Sequence, residues 1–513
     1  MSESEQVRTA EVIASLCLAT DLGVGFPLEH GLKVTLTAIR LCDALNVDSE
    51  TAQQTYYAAL LRHVGCTTLP RSAPRSFAAA LPKAALTVSS APHWNGLPAS
   101  SLPSPIRMSV WQDKLTQLVA GLPRLARRAR NHFVAYCEVE EMLAEQLGLP
   151  RSISGLFPMR TEVWDGFSIL RRAKGEDIPI PIRITHVAAD VVYQRLMGDD
   201  RHVVETIKSR GGHGLDPSVA EVFVTNASEI VGDDQLESSW DDVLAAEPKP
   251  RLTLDDGAID RALSAIGAFV DLVSPHFTGH ASGVGALAAE AARLMGMSAT
   301  EVSTVRRAGY LHDVGRVACH PSIWTKDGPL TADEWEQVRL HPYHTERVFS
   351  RSSYLAPLAE IACTHHERLD GSGYHRGMRA SALPPATRLL AVADAYRAKT
   401  ESRGYRAASP PEEAAEILVD KTKRGLFDGD MVAAVIEAAG LEAPPVERPA
   451  GLTEREVEVI GLIARGMQTK QVARALDISA KTADRHNQKI YRKIGVSARA
   501  AATLYATQQG LVT

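Results

Sequence analysis

The chain has 513 residues, 45% of them apolar, with 56 basic against 61 acidic side chains. Such a length exceeds what one core supports, so about two to four globular domains are expected, and the scarcity of aromatic residues beside abundant alanine favours helix. No uncharged apolar run is long enough to span a membrane, MSESEQVRTAEV lacks the basic start and apolar core of a secretory signal, and six scattered cysteines without a Cys-x-x-Cys pair exclude a disulfide frame or thiolate zinc knuckle. The expectation is a cytoplasmic, reduced protein with no membrane partner.

From about residue 8 to 235 the apolar periodicity is helical, interrupted by a Pro/Ser/Ala-rich insertion near 70–105. Acidic, polar residues 236–255 read as a linker, a second helical block runs over 256–441, and Pro-rich 442–451 reads as a hinge before the last segment, 452–513. The two large blocks suggest an internal duplication. His30 precedes His63 by thirty-three residues and His280 precedes His312 by thirty-two. His132–Val139 matches His341–Val348 in length, Glu162-Val-Trp-Asp165-Gly166 matches Glu367-Arg-Leu-Asp370-Gly371, and Arg183-Ile-Thr-His-Val-Ala resembles Arg388-Leu-Leu-Ala-Val-Ala. The first copy has Val64 in place of Asp313 and Arg160-Thr161 in place of His365-His366, so it is not expected to hold the same metals.

In the second block Val302, Val305, Gly309 and His312 share one helix face, which carries a histidine and the adjoining Asp313 into an apolar interior. An unpaired ionised carboxylate there costs several kcal/mol, and a bound cation is the natural compensation. Nine of the seventeen histidines fall between 276 and 375. Ser274-Pro275 reads as a helix start, placing His276 and His280 one turn apart on a single face. His341, His365, His366 and Asp394 follow, the last closing the apolar run from Leu389. Imidazoles with a few carboxylates and no thiolate suit iron, manganese or zinc, and the number of ligands suggests a two-metal site, which supports in-line attack on a phosphoryl group.

His312-Asp313-Val-Gly followed by His365-His366-Glu367-x-x-Asp370-Gly371-Ser-Gly-Tyr374 resembles the HD-GYP branch of the HD phosphohydrolases over roughly 256–441. The resemblance implies an all-helical fold, iron or manganese as the divalent ions, and hydrolysis of cyclic di-GMP or a related nucleotide. It puts His280, His312, Asp313 and Asp394 around one ion, with Asp313 bridging to a second held by His341, His365 and His366. It also makes Asp370, Gly371, Tyr374, Arg403 and Arg406 substrate-side residues. Several positions depart from the family pattern: Arg316 replaces a lysine and is the candidate assisting cation in catalysis beside Asp313, His375 replaces the proline of Gly-Tyr-Pro, and Arg397 stands where an aspartate is common. His276 takes the place of the glutamate that serves a third ion in some members, which leaves a third ion open. Three readings therefore remain: a working cyclic-dinucleotide phosphodiesterase, a domain that only senses a nucleotide, and a phosphohydrolase acting on another nucleotide such as a guanosine polyphosphate.

Residues 452–513 hold ten Lys/Arg against five Asp/Glu in a chain of net charge −5, which marks the basic end as the place for a polyanion. Thr453 with Glu456 predicts a capping box and Gly466 a stop; Thr469, Ser479 and Ser497 are expected to cap three further helices, the last two ending at Gly495 and Gly510. Two helices joined by a tight turn, the second longer and basic, is the plan of a helix-turn-helix. LTEREVEVIGLIARGMQTKQVARALDISAKTADRH resembles the LuxR-type DNA-binding domain. That likeness implies DNA as a partner, a homodimer as the usual binding form, Lys470, Lys481, Thr482 and His486 near phosphates, and Arg485 and its neighbours facing bases, with Lys489 also among the DNA-binding residues. Asp484 replaces a residue that is usually lysine. The expected architecture is thus all-α: two tandem HD-like helical domains, the first degenerate, followed by a four-helix LuxR-type helix-turn-helix domain.

Overall fold

The computed structural model describes residues 6–64, 134–135, 137–168, 170–232, 238–442, 449–509 and 511. They divide into two compact units, one of residues 1–269 with 317–322 and the other of 270–316 with 323–513. The described residues are mostly helical, and none of their helices is long and apolar enough to cross a membrane.

In the first unit strand β1 (Val7–Arg8) leads into α1 (Thr9–Val24), α2 (His30–Ala44) and α3 (Ser49–Leu60). Asp48 caps α3 by accepting from the Thr51 amide, and Gly25, with φ 84°, turns the chain off α1. After the insertion come α4 (Ile180–Arg195), α5 (Asp200–Arg210), α6 (Pro217–Thr225) and α7 (Trp240–Ala245), then β2 (Thr253–Leu254), which pairs antiparallel with β1. Val34, Leu41, Ile184, Val187, Val191 and Phe223 share one core. The stretch expected to be a linker is instead ordered from 238 onward: Trp240 and Val243 are buried, and the buried Glu247 carboxylate is matched by Arg8 and by the Tyr57 hydroxyl at 2.8 Å. Asp241, Asp242 and Asp255 are exposed as the acidic composition suggests, but Glu247 is neutralised inside the fold.

The second unit contains the end of α8 (Asp256–Asp271), then α9 (His280–Leu294) and α10 (Ala299–Leu311). After these come α11 (Ala332–Arg339), α12 (His341–Phe349), α13 (Ala356–Ala362), α14 (Pro385–Thr400), α15 (Pro411–Lys423) and α16 (Gly429–Ala438). Helices α9 and α10 touch backbone to backbone, since a Cβ on Gly309 would lie 2.6 Å from the Gly285 Cα. Helix α14 is buried from Thr387 through Tyr396, as its apolar run requires, and it carries Asp394 into the interior.

Similar struts occur at the matched sequence positions of the two units. Asp21 accepts from the Gly31 amide and Asp271 from the Ala281 amide, each at 3.1 Å. Glu162 accepts from the Arg172 amide at 3.0 Å, and Glu367 from the Arg376 and Met378 amides at 2.8 Å. Arg183 pairs with Asp216 at 2.6 Å and Arg388 with Asp428 at 3.1 Å, both acids being helix N-caps. Residues 132, 133 and 136 of the His132–Val139 match, the insertion at 70–105 and most of the hinge (443–448) lie outside the described residues.

The C-terminal segment forms α17 (Glu454–Ala464), α18 (Thr469–Ala475), α19 (Ala480–Ile494) and α20 (Arg499–Gln508) around Val459, Ile460, Ile463, Val472 and Ile490. The Thr453–Glu456 capping box, the Ser479 cap and the left-handed Gly495 stand as the sequence predicts. Two caps differ. Gln468, with Gln471, caps α18, so Thr469 is its first residue, where its hydroxyl accepts from Asn487. Ala498, which has no capping side chain, precedes α20 in place of Ser497; Gly510 lies outside the described residues. Glu456 is buried and holds Lys493 at 2.5 Å, tying α17 to α19.

Arg388 is buried and donates to Leu383 O, Ala380 O and Asp428. Arg388→Ala strands Asp428 and two carbonyls, so urea denaturation should show a loss of about 3 kcal/mol, the cost of breaking a buried pair. Arg183→Ala should do the same to the first unit.

Candidate metal centre

Each imidazole of the centre is aimed by the bond its other nitrogen makes. His312 Nδ1 meets Gly309 O at 2.7 Å, His341 Nδ1 meets Val338 O at 2.6 Å and His365 Nδ1 meets Ala362 O at 2.6 Å. A carbonyl can only accept, so Nδ1 carries the proton and Nε2 is left as a lone-pair donor facing inward. His280 opens α9 after the left-handed Gly279, and its Nδ1 meets a carboxylate, Glu401 Oε2, at 2.8 Å.

Two groups of atoms result, each with its members within 4.8 Å of one another: His280, His312 and Asp394, and Asp313, His341, His365 and His366. Asp313 faces both. Its Oδ2 lies 2.9 Å from His312 Nε2 and 3.4 Å from His280 Nε2, and its Oδ1 lies 3.1 Å from His341 Nε2 and 3.6 Å from His365 Nε2. Asp394 stands 3.3 Å from His280 through Oδ1 and 3.9 Å from His366 Nδ1 through Oδ2. Among the described residues His280 Nε2, His312 Nε2 and Asp313 Oδ1 are buried and find no hydrogen-bond partner. Buried lone pairs converging with two carboxylates are what a divalent cation satisfies, so this donor set fits a metal.

The electrostatics agree. Burial opposes ionisation of Asp313 and Asp394, yet Arg316 and His312 at the first, and His280 at the second, pull both well below the usual carboxylate range. Burial drives His365 down to about 4 and His366 well below the usual imidazole value, which keeps them neutral donors. At His280 burial also opposes the charge, but Asp313, Asp394 and Glu401 outweigh it and raise the group to about 10.

Arg316 brings Nη2 to 2.5 Å from Asp313 Oδ2 while its guanidinium lies 4.1 Å from the Phe277 ring centroid and 5.4 Å from that of Trp324, whose Nε1 donates to Arg316 O. Arg403 lies over the same Phe277 ring at 4.5 Å. Thr345 accepts from the Gly315 amide and donates toward His312 O and His341 O, and any side chain at Gly315 would strike the His341 carbonyl. Phe277, Trp324, Thr345 and Glu401 were not singled out by the sequence reading. Glu401 stands just past the end of α14, where helical spacing gives no signal, and the others resemble ordinary core residues.

Other predicted residues fall differently. His276 sits in a 3-10 turn, Pro275–Phe277, and joins neither group, because Ser274 caps that turn and Gly279 breaks the chain before α9. The one-face expectation for His276 and His280 is thereby corrected. Arg406 donates to Ala398 O, Lys399 O, Glu401 O and Ala407 O, so it closes the end of α14 and is not directed at a substrate. Asp370 is exposed and shapes a turn by accepting from the Ser372 amide, with Gly371 at φ 83° beside it. Tyr374 packs on the His366 ring at 4.6 Å. On α19 Lys481, Thr482, Arg485 and Lys489 are exposed, as is Lys470 on α18, while His486 is half-buried. The Asp484 carboxylate accepts from Gln488 at 3.0 Å.

Comparison with known proteins assigns the class first. Residues 266–431 match the HD domain family and residues 450–506 match the bacterial regulatory proteins of the luxR family, so the chain joins an HD domain, a metal-dependent phosphohydrolase, to a LuxR-type DNA-binding domain. Particular relatives follow. A 3'3'-cGAMP-specific phosphodiesterase of Vibrio cholerae is 26% identical over 446 residues, 84% of this chain and 95% of that protein. A cyclic di-GMP phosphodiesterase of Thermotoga maritima is 40% identical over 139 residues, which are 26% of this chain and 37% of that one. The fold is similar to the crystal structure of a cyclic GMP-AMP-specific phosphodiesterase of V. cholerae, with a TM-score of 0.60, 23% identity and coverage of 85% of this chain and 98% of that one.

A cation entering beside His280 must displace its proton. Loading at pH 7 should therefore release about one proton per chain, read by calorimetry in two buffers of different ionisation enthalpy. In the cation-free protein the raised value stabilises the fold fully below 6.5, and that contribution fades as pH climbs toward about 10.

Proposed function

We propose that this chain is a two-metal phosphodiesterase for a purine cyclic dinucleotide, joined to a DNA-binding domain that makes it a transcription regulator working in the cytoplasm. On this reading residues 8–235 are a degenerate HD-GYP-like copy, 256–441 the hydrolase and 452–513 the DNA reader. The observation that carries it is Asp313, whose two oxygens face two separate sets of imidazole nitrogens. His280, His312 and Asp394 would hold one ion and His341, His365 and His366 the other, with Asp313 shared. Iron or manganese suits such a donor set.

Two bound cations supply Lewis acidity at the phosphoryl oxygens and a water nucleophile at neutral pH. The side chains contribute the rest. Carbonyl-anchored imidazoles keep their tautomers and their aim through the reaction. Arg316, buried against Phe277 and Trp324, presents Nη1 and Nε with no hydrogen-bond acceptor among the described residues, which leaves them for a phosphate oxygen. Arg403 adds a second guanidinium on the other contact of the same ring. Tyr374 holds His366 from its open side. Cyclic di-GMP and 3'3'-cGAMP differ in one base, so such a centre treats their phosphodiester bonds alike and the choice falls to groups that meet the bases.

Lys470, Lys481, Thr482, His486 and Lys489 are read as phosphate contacts and Arg485 as the base reader, with a homodimer as the binding form. Gln488 draws the Asp484 carboxylate along the helix, which moderates its repulsion of phosphate. A second reading, a sensor without turnover, is favoured by the Arg316–Asp313 contact, which places a guanidinium on the shared carboxylate.

Protein loaded with Mn(II) or Fe(II) should linearise cyclic di-GMP or 3'3'-cGAMP, and Asp313→Ala should lose both metal and turnover. Nucleotide binding without product would favour the sensor, and a metal-free protein by elemental analysis after reconstitution would remove the enzymatic reading. DNA affinity should fall steeply with salt, and Lys481→Ala should flatten that slope by about one unit.

A further inference from the structure

Three of the inward imidazoles are anchored by neutral carbonyl oxygens, at Gly309, Val338 and Ala362. His280 alone among these four leans on a carboxylate, Glu401 Oε2 at 2.8 Å. The same oxygen lies 3.2 Å from Arg403 Nη2, and Oε1 lies 2.9 Å from Arg397 Nη2. Arg397 reaches it by lying across α9 at Gly283, where a Cβ would come 2.6 Å from its Nη2. Helix α14 and the extended residue that follows it thus address both nitrogens of one imidazole: Asp394 stands 3.3 Å from Nε2, and Glu401, seven residues on, holds Nδ1. Glu401 turns back because the chain becomes extended there, φ −105° and ψ 145°, while Arg406 closes the helix end behind it.

We infer that Glu401 is a positioning residue that sets the ligand His280 and the substrate-side Arg403 together, so that one carboxylate governs both metal retention and substrate grip. The inference rests on the two-metal phosphodiesterase reading. An anionic anchor makes His280 a stronger donor than its carbonyl-anchored partners, and outer partners of this kind are worth roughly 10- to 100-fold in metal affinity. Arg403, already held over Phe277, has its fork fixed by the same group and by the His276 carbonyl at 3.2 Å. Arg397, in turn, neutralises the excess charge that a second acid beside Asp394 brings.

The test compares Glu401→Ala and Glu401→Gln in the full chain, reading Mn(II) retained after chelator challenge together with KM and kcat for cyclic di-GMP and 3'3'-cGAMP. Glu401→Ala should bind Mn(II) roughly 10- to 100-fold more weakly, keep about one ion fewer per chain and raise KM. Glu401→Gln still accepts from His280 Nδ1, so it should regain Mn(II) retention while KM stays raised by roughly tenfold, since Arg403 has lost its anionic partner. Wild-type retention and KM in Glu401→Ala, or identical behaviour of the two variants, would overturn the assignment. If Glu401→Ala does not fold, an unchanged KM in Glu401→Gln overturns it. A wild-type chain that binds no Mn(II) would remove the two-metal reading and this assignment with it.

Discussion

The structure of the second unit depends on the burial of Asp313. Its carboxylate is almost fully enclosed, with imidazole nitrogens on both oxygens and one guanidinium at 2.5 Å. Isolated charge at such depth would be expelled or neutralised. Everything around it answers that constraint: three carbonyl-anchored histidines, Arg316 fixed by two aromatic rings, and Thr345 closing the turn that presents the acid. Gly315 belongs to the same solution, since the His341 carbonyl occupies the space of a side chain there.

The first unit has a pair of buried histidines without the aspartate that joins them in the second. His30 and His63 lie with ring centroids 5.7 Å apart, and Val64 follows His63 where Asp313 follows His312. Burial, then neighbouring cations such as Arg62, lowers His30 to about 4, whereas its counterpart His280 is raised to about 10. Two buried histidines thus carry opposite shifts, because the charge of the neighbours decides the sign once burial is shared. Arg160 pairs with Glu140 at 2.7 Å, so a cation belonging to the chain sits within the first copy.

Much of this was readable from residue order. Periodicity placed His312 on a buried face, and the capping box at Thr453 and the glycine after α19 fixed the C-terminal helices to within a residue. What escaped were features set by partners distant in sequence. Glu247 looks solvated until Arg8 and Tyr57 arrive from the far end of the unit. Arg406 looks like a phosphate ligand until the carbonyls at the end of α14 are seen to absorb its donors. His276 looks helical because one glycine in the left-handed region, Gly279, leaves no trace in apolar spacing.

The contact of Gly285 with Gly309 has a consequence for the centre. His280 begins one of the two helices that meet there and His312 caps the other, with ring centroids 5.3 Å apart. Because bare backbone meets bare backbone, the hairpin behaves as a calliper with its jaws set, and there is no side chain whose rotamer could absorb a change in gauge. A side chain added at either glycine would force the two helices apart, which ties the spacing of His280 and His312 to these two positions.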